Sequence, residues 1–176
     1  MHALANDAPL MINIAGAFFD AMAQGYASKT PGRAIPGARG SKTLEFRQGR
    51  WEVADTYYTN SYGRWSAGTT TIFYEGEAVW QMHYRGWYDR SAIPFLKEAL
   101  RVNYEKHVFF GGRGPENYRN ADNTLMYRNM SVYSTDFRNF SDFQGIEQVF
   151  KVVDDRKGGE LLGRHEYRGG LLVLKR

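Results

Sequence analysis

Two hydrophobic periods alternate along the chain. Leu10, Ile14, Ala17, Phe18, Ala21 and Met22 recur at helical spacing. Asp7 is placed to cap this helix, Pro9 falls in a first turn where its missing N–H costs nothing, and Gly25 ends it. From Ser28 to Lys42 no period survives, because Pro31, Gly32, Pro36, Gly37 and Gly40 interrupt it, so this stretch reads as a loop. Leu44, Phe46, Trp51 and Val53 then alternate with polar residues, as do Ile72, Tyr74, Val79, Met82 and Tyr84, which is the pattern of half-buried antiparallel strands. At Ser91 the period returns to helical. Ile93, Leu96 and Leu100 form one row and Phe95, Ala99 and Val102 another, with Ser91 as the expected cap and Pro94 in the first turn. A second breaker loop, Gly111-Gly112-Arg113-Gly114-Pro115, leads to aromatic-rich strand patterns from Leu125 onward.

Helix, loop, strands, helix, loop, strands is the order a duplication would leave. Phe46-Arg47 followed by Asp55 echoes Tyr127-Arg128 followed by Asp136, Ile72-Phe73 echoes Val149-Phe150, and Tyr84-Arg85-Gly86 echoes Tyr167-Arg168-Gly169. The expected architecture is α+β in one domain over residues 1–176. A first repeat (8–90) and a second (91–176) would each pack a helix on a four-stranded antiparallel meander about a pseudo-two-fold axis. Whether the halves share one sheet or stack two is open at this point.

With 176 residues, 43% of them hydrophobic and 15% aromatic, there is material for a core, and no apolar run approaches the ~20 residues of a membrane span. Zero cysteines remove disulfides, thiolate metal sites and thiol nucleophiles. The apolar N-terminal stretch lacks a preceding Lys or Arg and contains Asn13 and Asp20, so an amphipathic helix explains it better than a secretion signal, and a cytoplasmic location is expected. A net charge of +4 is mild. Lys29, Arg33, Arg39 and Lys42 could form a phosphate-contacting arm, but charge without interleaved aromatics is more often a solvated loop, so nucleic acid is not the expected partner.

The strongest chemical cluster is Trp80, Met82, His83, Tyr84, Arg85 and Trp87. Alternation puts Trp80, Met82 and Tyr84 on one face and His83 and Arg85 on the other. Read functionally it is an aromatic pocket wall with polar anchors; read plainly, the three large apolar residues are core. Asp55 and Asp136 could be brought together as an acid/base pair, or Asp55 could pair with Arg47. The histidines, His2, His83, His107 and His165, lack metal-ligand spacing, no nucleophile elbow surrounds Ser66 or Ser134, and the glycine-rich loop lacks a phosphate-binding fingerprint. No cofactor is implied. The leading expectation is a binding domain of sensor or effector type that holds a small molecule at Trp80, Met82, His83, Tyr84, Arg85, Glu147, Tyr167 and Arg168. The alternatives are a metal-independent hydrolase or lyase in which His83 works with a carboxylate, and an interaction module acting through loop 29–42. A homodimer is compatible with each.

Several of these segments resemble one family. Phe95-Leu96-Lys97-Glu98-Ala99-Leu100, Phe110-Gly111-Gly112-Arg113-Gly114-Pro115, Phe143-Gln144-Gly145-Ile146-Glu147 and the recurrent Trp80-Gln81-Met82-His83-Tyr84-Arg85-Gly86 and His165-Glu166-Tyr167-Arg168-Gly169-Gly170 are similar to the bacterial domain of unknown function 5680. The likeness runs from about Ala17 onward. It implies no particular activity, although some relatives are joined to DNA-binding helix-turn-helix modules. His83 replaces the family's usual Asn, and Gly68-Thr69-Thr70-Thr71 lacks a Glu that the second half keeps as Glu147.

Overall fold

The computed structural model describes residues 8–25, 27, 40–131, 140–153 and 159–172. The fold is α+β: helix α1 (Ala8–Gln24), strands β1 (Ser41–Gln48), β2 (Trp51–Thr59), β3 (Trp65–Tyr74) and β4 (Glu77–Tyr88), helix α2 (Ile93–Glu105), and strands β5 (Asn117–Arg119), β6 (Leu125–Ser131), β7 (Asp142–Lys151) and β8 (Glu160–Leu171). All eight strands lie in one antiparallel sheet, ordered β1-β2-β3-β4-β8-β7-β6-β5. β4 and β8 join its two sides, with Tyr84 opposite Tyr167. The ladder slips at Ile72/Phe73 between β3 and β4, and at Val149/Phe150 between β7 and β8.

Both helices cover the same face. α1 touches β1, β2 and β3, α2 touches β6, and the helices touch each other. The period-2 pattern therefore separates an inner face, with Val53, Ile72, Trp80, Met82, Tyr127 and Val149 buried, from an outer face with His83, Arg85, Arg128 and Arg168 exposed. Phe18 of α1 is the hub of the core, in ring contact with Trp80, Tyr104, Phe109 and Phe140. Trp80 stacks on Phe140 at 4.8 Å and donates its indole N–H to the Phe140 carbonyl at 2.8 Å, so its one polar atom is satisfied. Burying each such ring contributes roughly 1.5–3 kcal/mol.

Ser91 is not the cap of α2. It lies in a 3-10 turn (Arg90–Ala92), and Ala92 precedes the helix with Pro94 in the first turn as expected. The glycine-rich loop is buried rather than solvated. Gly111 and Gly112 turn it in the left-handed region (φ 61° and 68°), which glycine enters without strain. Tyr104 Oη donates to the Gly112 carbonyl at 3.1 Å and Asn103 Nδ2 to the Arg113 carbonyl at 3.2 Å, which pins the loop under α2. Most of the basic loop, the proposed cap Asp7, and both Asp136 and Ser134 lie outside the described residues; Lys42 is in β1. No described helix is long and apolar enough to cross a membrane.

Candidate functional site

The pinned loop delivers Arg113 to the inner face, where it meets Glu147 at the middle of β7. The Glu147 side chain is fully buried. Arg113 Nη2 and Tyr88 Oη (2.9 Å) both donate to its Oε1, and Tyr127 Oη donates to Oε2 at 2.7 Å. Burial alone would push the carboxyl up, but the guanidinium outweighs it and holds Glu147 below its ordinary value. Beside this cluster Tyr167 Oη donates to Asn129 Oδ1 at 2.6 Å, and Asn129 Nδ2 donates to the carbonyls of Phe110 and Gly114 at 3.0 Å each. The network is largely satisfied by its own members and serves to fix the loop.

His165 connects that network to open space. Its Nδ1 lies 3.9 Å from Glu147 Oε1 and has no hydrogen-bond partner, while its Nε2 is 3.1 Å from Ser66 Oγ. A carboxylate facing Nδ1 favours the tautomer with the proton there, so Nε2 accepts from the Ser66 hydroxyl. Gly86 makes the contact possible, since a Cβ at that position would collide with the His165 ring. The imidazole stacks on Tyr84 (5.7 Å) and leans on Tyr88 (4.7 Å). Burial lowers its pKa to about 4; Glu147 pulls it upward and Arg113 downward.

Ser66 and His165 form one wall of a cavity of about 260 Å3 lined also by Met22, Asp55, Tyr57, Thr70, Tyr84, Tyr88, Lys97, Tyr104 and Arg113, with Arg64 among the remaining residues at its wall. Asp55, on β2, is the acid of this cavity. It is 5% exposed, and it accepts hydrogen bonds from Thr70 Oγ1 at 2.9 Å and Tyr84 Oη at 2.8 Å. Both bonds fall on Oδ1. Among the described residues Oδ2 has no bond and Asp55 has no ion-pair partner, whereas Arg113 is answered by Glu147 and Arg64 by Asp89. Burial raises the Asp55 pKa against the opposing pull of Tyr84, Thr70 and Arg113, and Asp55 in turn pushes the Tyr57 phenol up, after burial. The lining of the cavity thus combines a desolvated carboxyl with tyrosine rings.

Of the residues expected to hold a ligand, Tyr84 lines the cavity, Glu147 braces it from behind, and Tyr167 is buried one strand further on. Trp80 and Met82 are fully buried core. His83, Arg85 and Arg168 are on the outer face: His83 Nδ1 contacts Thr69 Oγ1 at 3.2 Å, and Arg85 lies over the Trp65 ring. An open hollow of about 400 Å3 is nevertheless lined by His83, Tyr84, Arg85, Tyr167 and Arg168 together, with Gln144, Gly145, Ile146 and Glu166, so five of the expected residues share one depression of the sheet. Arg47 pairs with Glu45 and Glu52 rather than with Asp55. Sequence reasoning passed over Arg113, His165 and Ser66, whose partners lie 34 to 99 residues away. No cluster of three metal-ligating side chains occurs among the described residues. Comparison with protein-family models, curated proteins and solved structures finds no match to this chain.

Proposed function

We propose that the protein binds a small molecule in the inner-face cavity, with Asp55 as its polar anchor and Tyr57, Tyr84 and Tyr88 as its walls. The carrying observation is the buried Asp55 carboxyl, which lines the cavity and whose two hydrogen bonds share one oxygen. A carboxyl kept from water without an ion pair among the described residues is a cost to folding that a ligand's hydrogen-bond donor would offset. The ligand expected is compact, with an N–H or O–H for Asp55 and a flat or apolar body for the rings. Screening a metabolite library by thermal shift tests this: hits should raise the midpoint of the native protein and lose most of that effect in Asp55→Asn. Hits that stabilise both proteins equally would place the ligand elsewhere.

A second reading, a metal-independent hydrolase, draws on the Ser66–His165 contact rather than on His83. An imidazole with a pKa of about 4 is a weak base, which is why binding comes first. Covalent labelling of Ser66 by a fluorophosphonate, lost in His165→Gln, would favour the enzyme.

We also infer an internal duplication. Supporting it, the strand order reads alike from either edge to the centre, and the two ladder slips fall at Ile72-Phe73 and Val149-Phe150. Tyr84 reaches Asp55 across Gly68 as Tyr167 reaches Asn129 across Gly145. Thr70 and Glu147 each stand two residues beyond those glycines. Phe46-Arg47 on β1 and Tyr127-Arg128 on β6 are not equivalent positions, so that echo drops out.

A further inference from the structure

The outer face of the sheet carries charge and rings in register. Across the strands Trp65 pairs with Trp87, Trp87 with Arg164, Arg164 with Gln148 and Gln148 with Arg128. The next row pairs Tyr58 with Ala67, Ala67 with Arg85 and Arg85 with Glu166, and in the row beyond it His83 pairs with Arg168. Four arginines thus face one side of the central and second-half strands, together with the acids Glu166, which is held by Arg164, and Asp142 at the start of β7. Arg85, Arg128 and Arg168 are exposed and have no ion pair among the described residues. Trp65 and Tyr58 are 53% and 47% exposed, and they flank a shallow hollow of about 350 Å3 whose floor is Ala67 and whose edge is Arg85, with the guanidinium 4.9 Å from the Trp65 ring centroid.

We propose that this face binds single-stranded nucleic acid, independently of the inner cavity. An antiparallel sheet face offering exposed aromatic rings beside arginines without an ion pair among the described residues supplies both terms such a ligand needs. The rings and the guanidinium stack bases, and the arginines answer phosphates. A duplex keeps its bases stacked on each other and would gain only the charge term. The small hollow between Tyr58 and Trp65 suits one unstacked base, and the arginines of β4, β8 and β6 continue outward from it along the path a backbone would take. The whole-chain charge of +4 conceals this, because it averages over both faces and over the acids of the turns.

Fluorescence anisotropy of labelled single-stranded oligonucleotides of about a dozen nucleotides, RNA and DNA in separate arms, measures the binding across about 50 to 200 mM salt. Affinity should fall with salt. Arg85→Ala/Arg168→Ala should flatten the log–log slope by about 1.4, since each phosphate contact on a single strand contributes roughly 0.7. Trp65→Ala should weaken binding about tenfold with the salt slope unchanged, the loss of one base stack. Thermal melts of each variant confirm that these exposed changes leave the fold intact. The proposal is overturned by absence of binding at the lowest salt, by equal affinity for duplex, by equal competition from polyglutamate, which would make the face a mere charge sink, or by a dimer that Trp65→Ala dissolves, which would assign the face to a second copy of the chain.

Discussion

Acidification should cost this protein stability through His165 in a window set by its burial. In the unfolded chain the imidazole takes a proton near its ordinary 6.5, but in the fold only near about 4, since burial disfavours the charged ring more than Glu147 favours it, with Arg113 adding to the lowering. Between those values the unfolded state binds a proton that the folded state refuses, so stability falls as pH drops through the interval. At ~1.4 kcal/mol per pH unit, the loss is about 3 kcal/mol by pH 4, with no further loss from this group below that. Urea unfolding at pH 7, 6, 5 and 4 measures it, with His165→Gln as reference. Glutamine spans the same site without a titrating ring, so subtracting its curve removes the other acids, including Glu147, whose contribution fades only as pH falls below its ordinary value of 4.5. The native advantage over His165→Gln should shrink by about 3 kcal/mol from pH 7 to pH 4. An advantage independent of pH would show that His165 is not held neutral by its surroundings, and the tautomer argument for Ser66 would go with it.

Further outcomes follow from the same contacts. Glu147→Gln leaves the Arg113 charge buried without its partner and should cost ~3–5 kcal/mol in chemical denaturation, whereas adding Arg113→Met to it should recover part of that loss. Gly68→Ala and Gly145→Ala each place a methyl group against a tyrosine, Tyr84 and Tyr167 respectively, and should destabilise by ~1–3 kcal/mol to a similar degree; a large effect at only one of them would weaken the duplication. Asp55→Asn keeps an acceptor for Thr70 and Tyr84 but removes a carboxyl whose burial raises its pKa. Its stability at pH 7 should therefore equal or exceed the native protein's, and the difference should vanish as pH falls below the ordinary carboxylate range.

How much was legible in the chain depended on whether a feature is local. Alternation in Ile72–Tyr84 and the helical rows of Ile93–Val102 are local, and they yielded strands, a helix and the correct sorting of Trp80, Met82 and Tyr84 from His83 and Arg85. Neighbour relations are not local. Period 2 states which face a side chain takes but not which strand lies alongside, so Asp55 was matched with the sequence-near Arg47 while its partners Thr70 and Tyr84 sit on the next two strands. Arg113 was hidden for another reason. Its glycine-rich segment has the composition of a solvated turn, and what keeps it inside are hydrogen bonds from Tyr104, Asn103 and Asn129, the Gly114 N–H to Tyr127 and the Arg113–Glu147 pair. An arginine between glycines, leading to a strand with a lone central Glu147, is the one hint the sequence carried. β5, three residues long, is too short for any period to register.

The most direct test of the central claim is a calorimetric titration of the best thermal-shift compound into the native protein and into Asp55→Asn. The cavity account predicts saturable one-to-one binding that weakens at least tenfold in the variant, about 1.4 kcal/mol, as the charge-assisted hydrogen bond is lost. Identical affinities in the two proteins would contradict it.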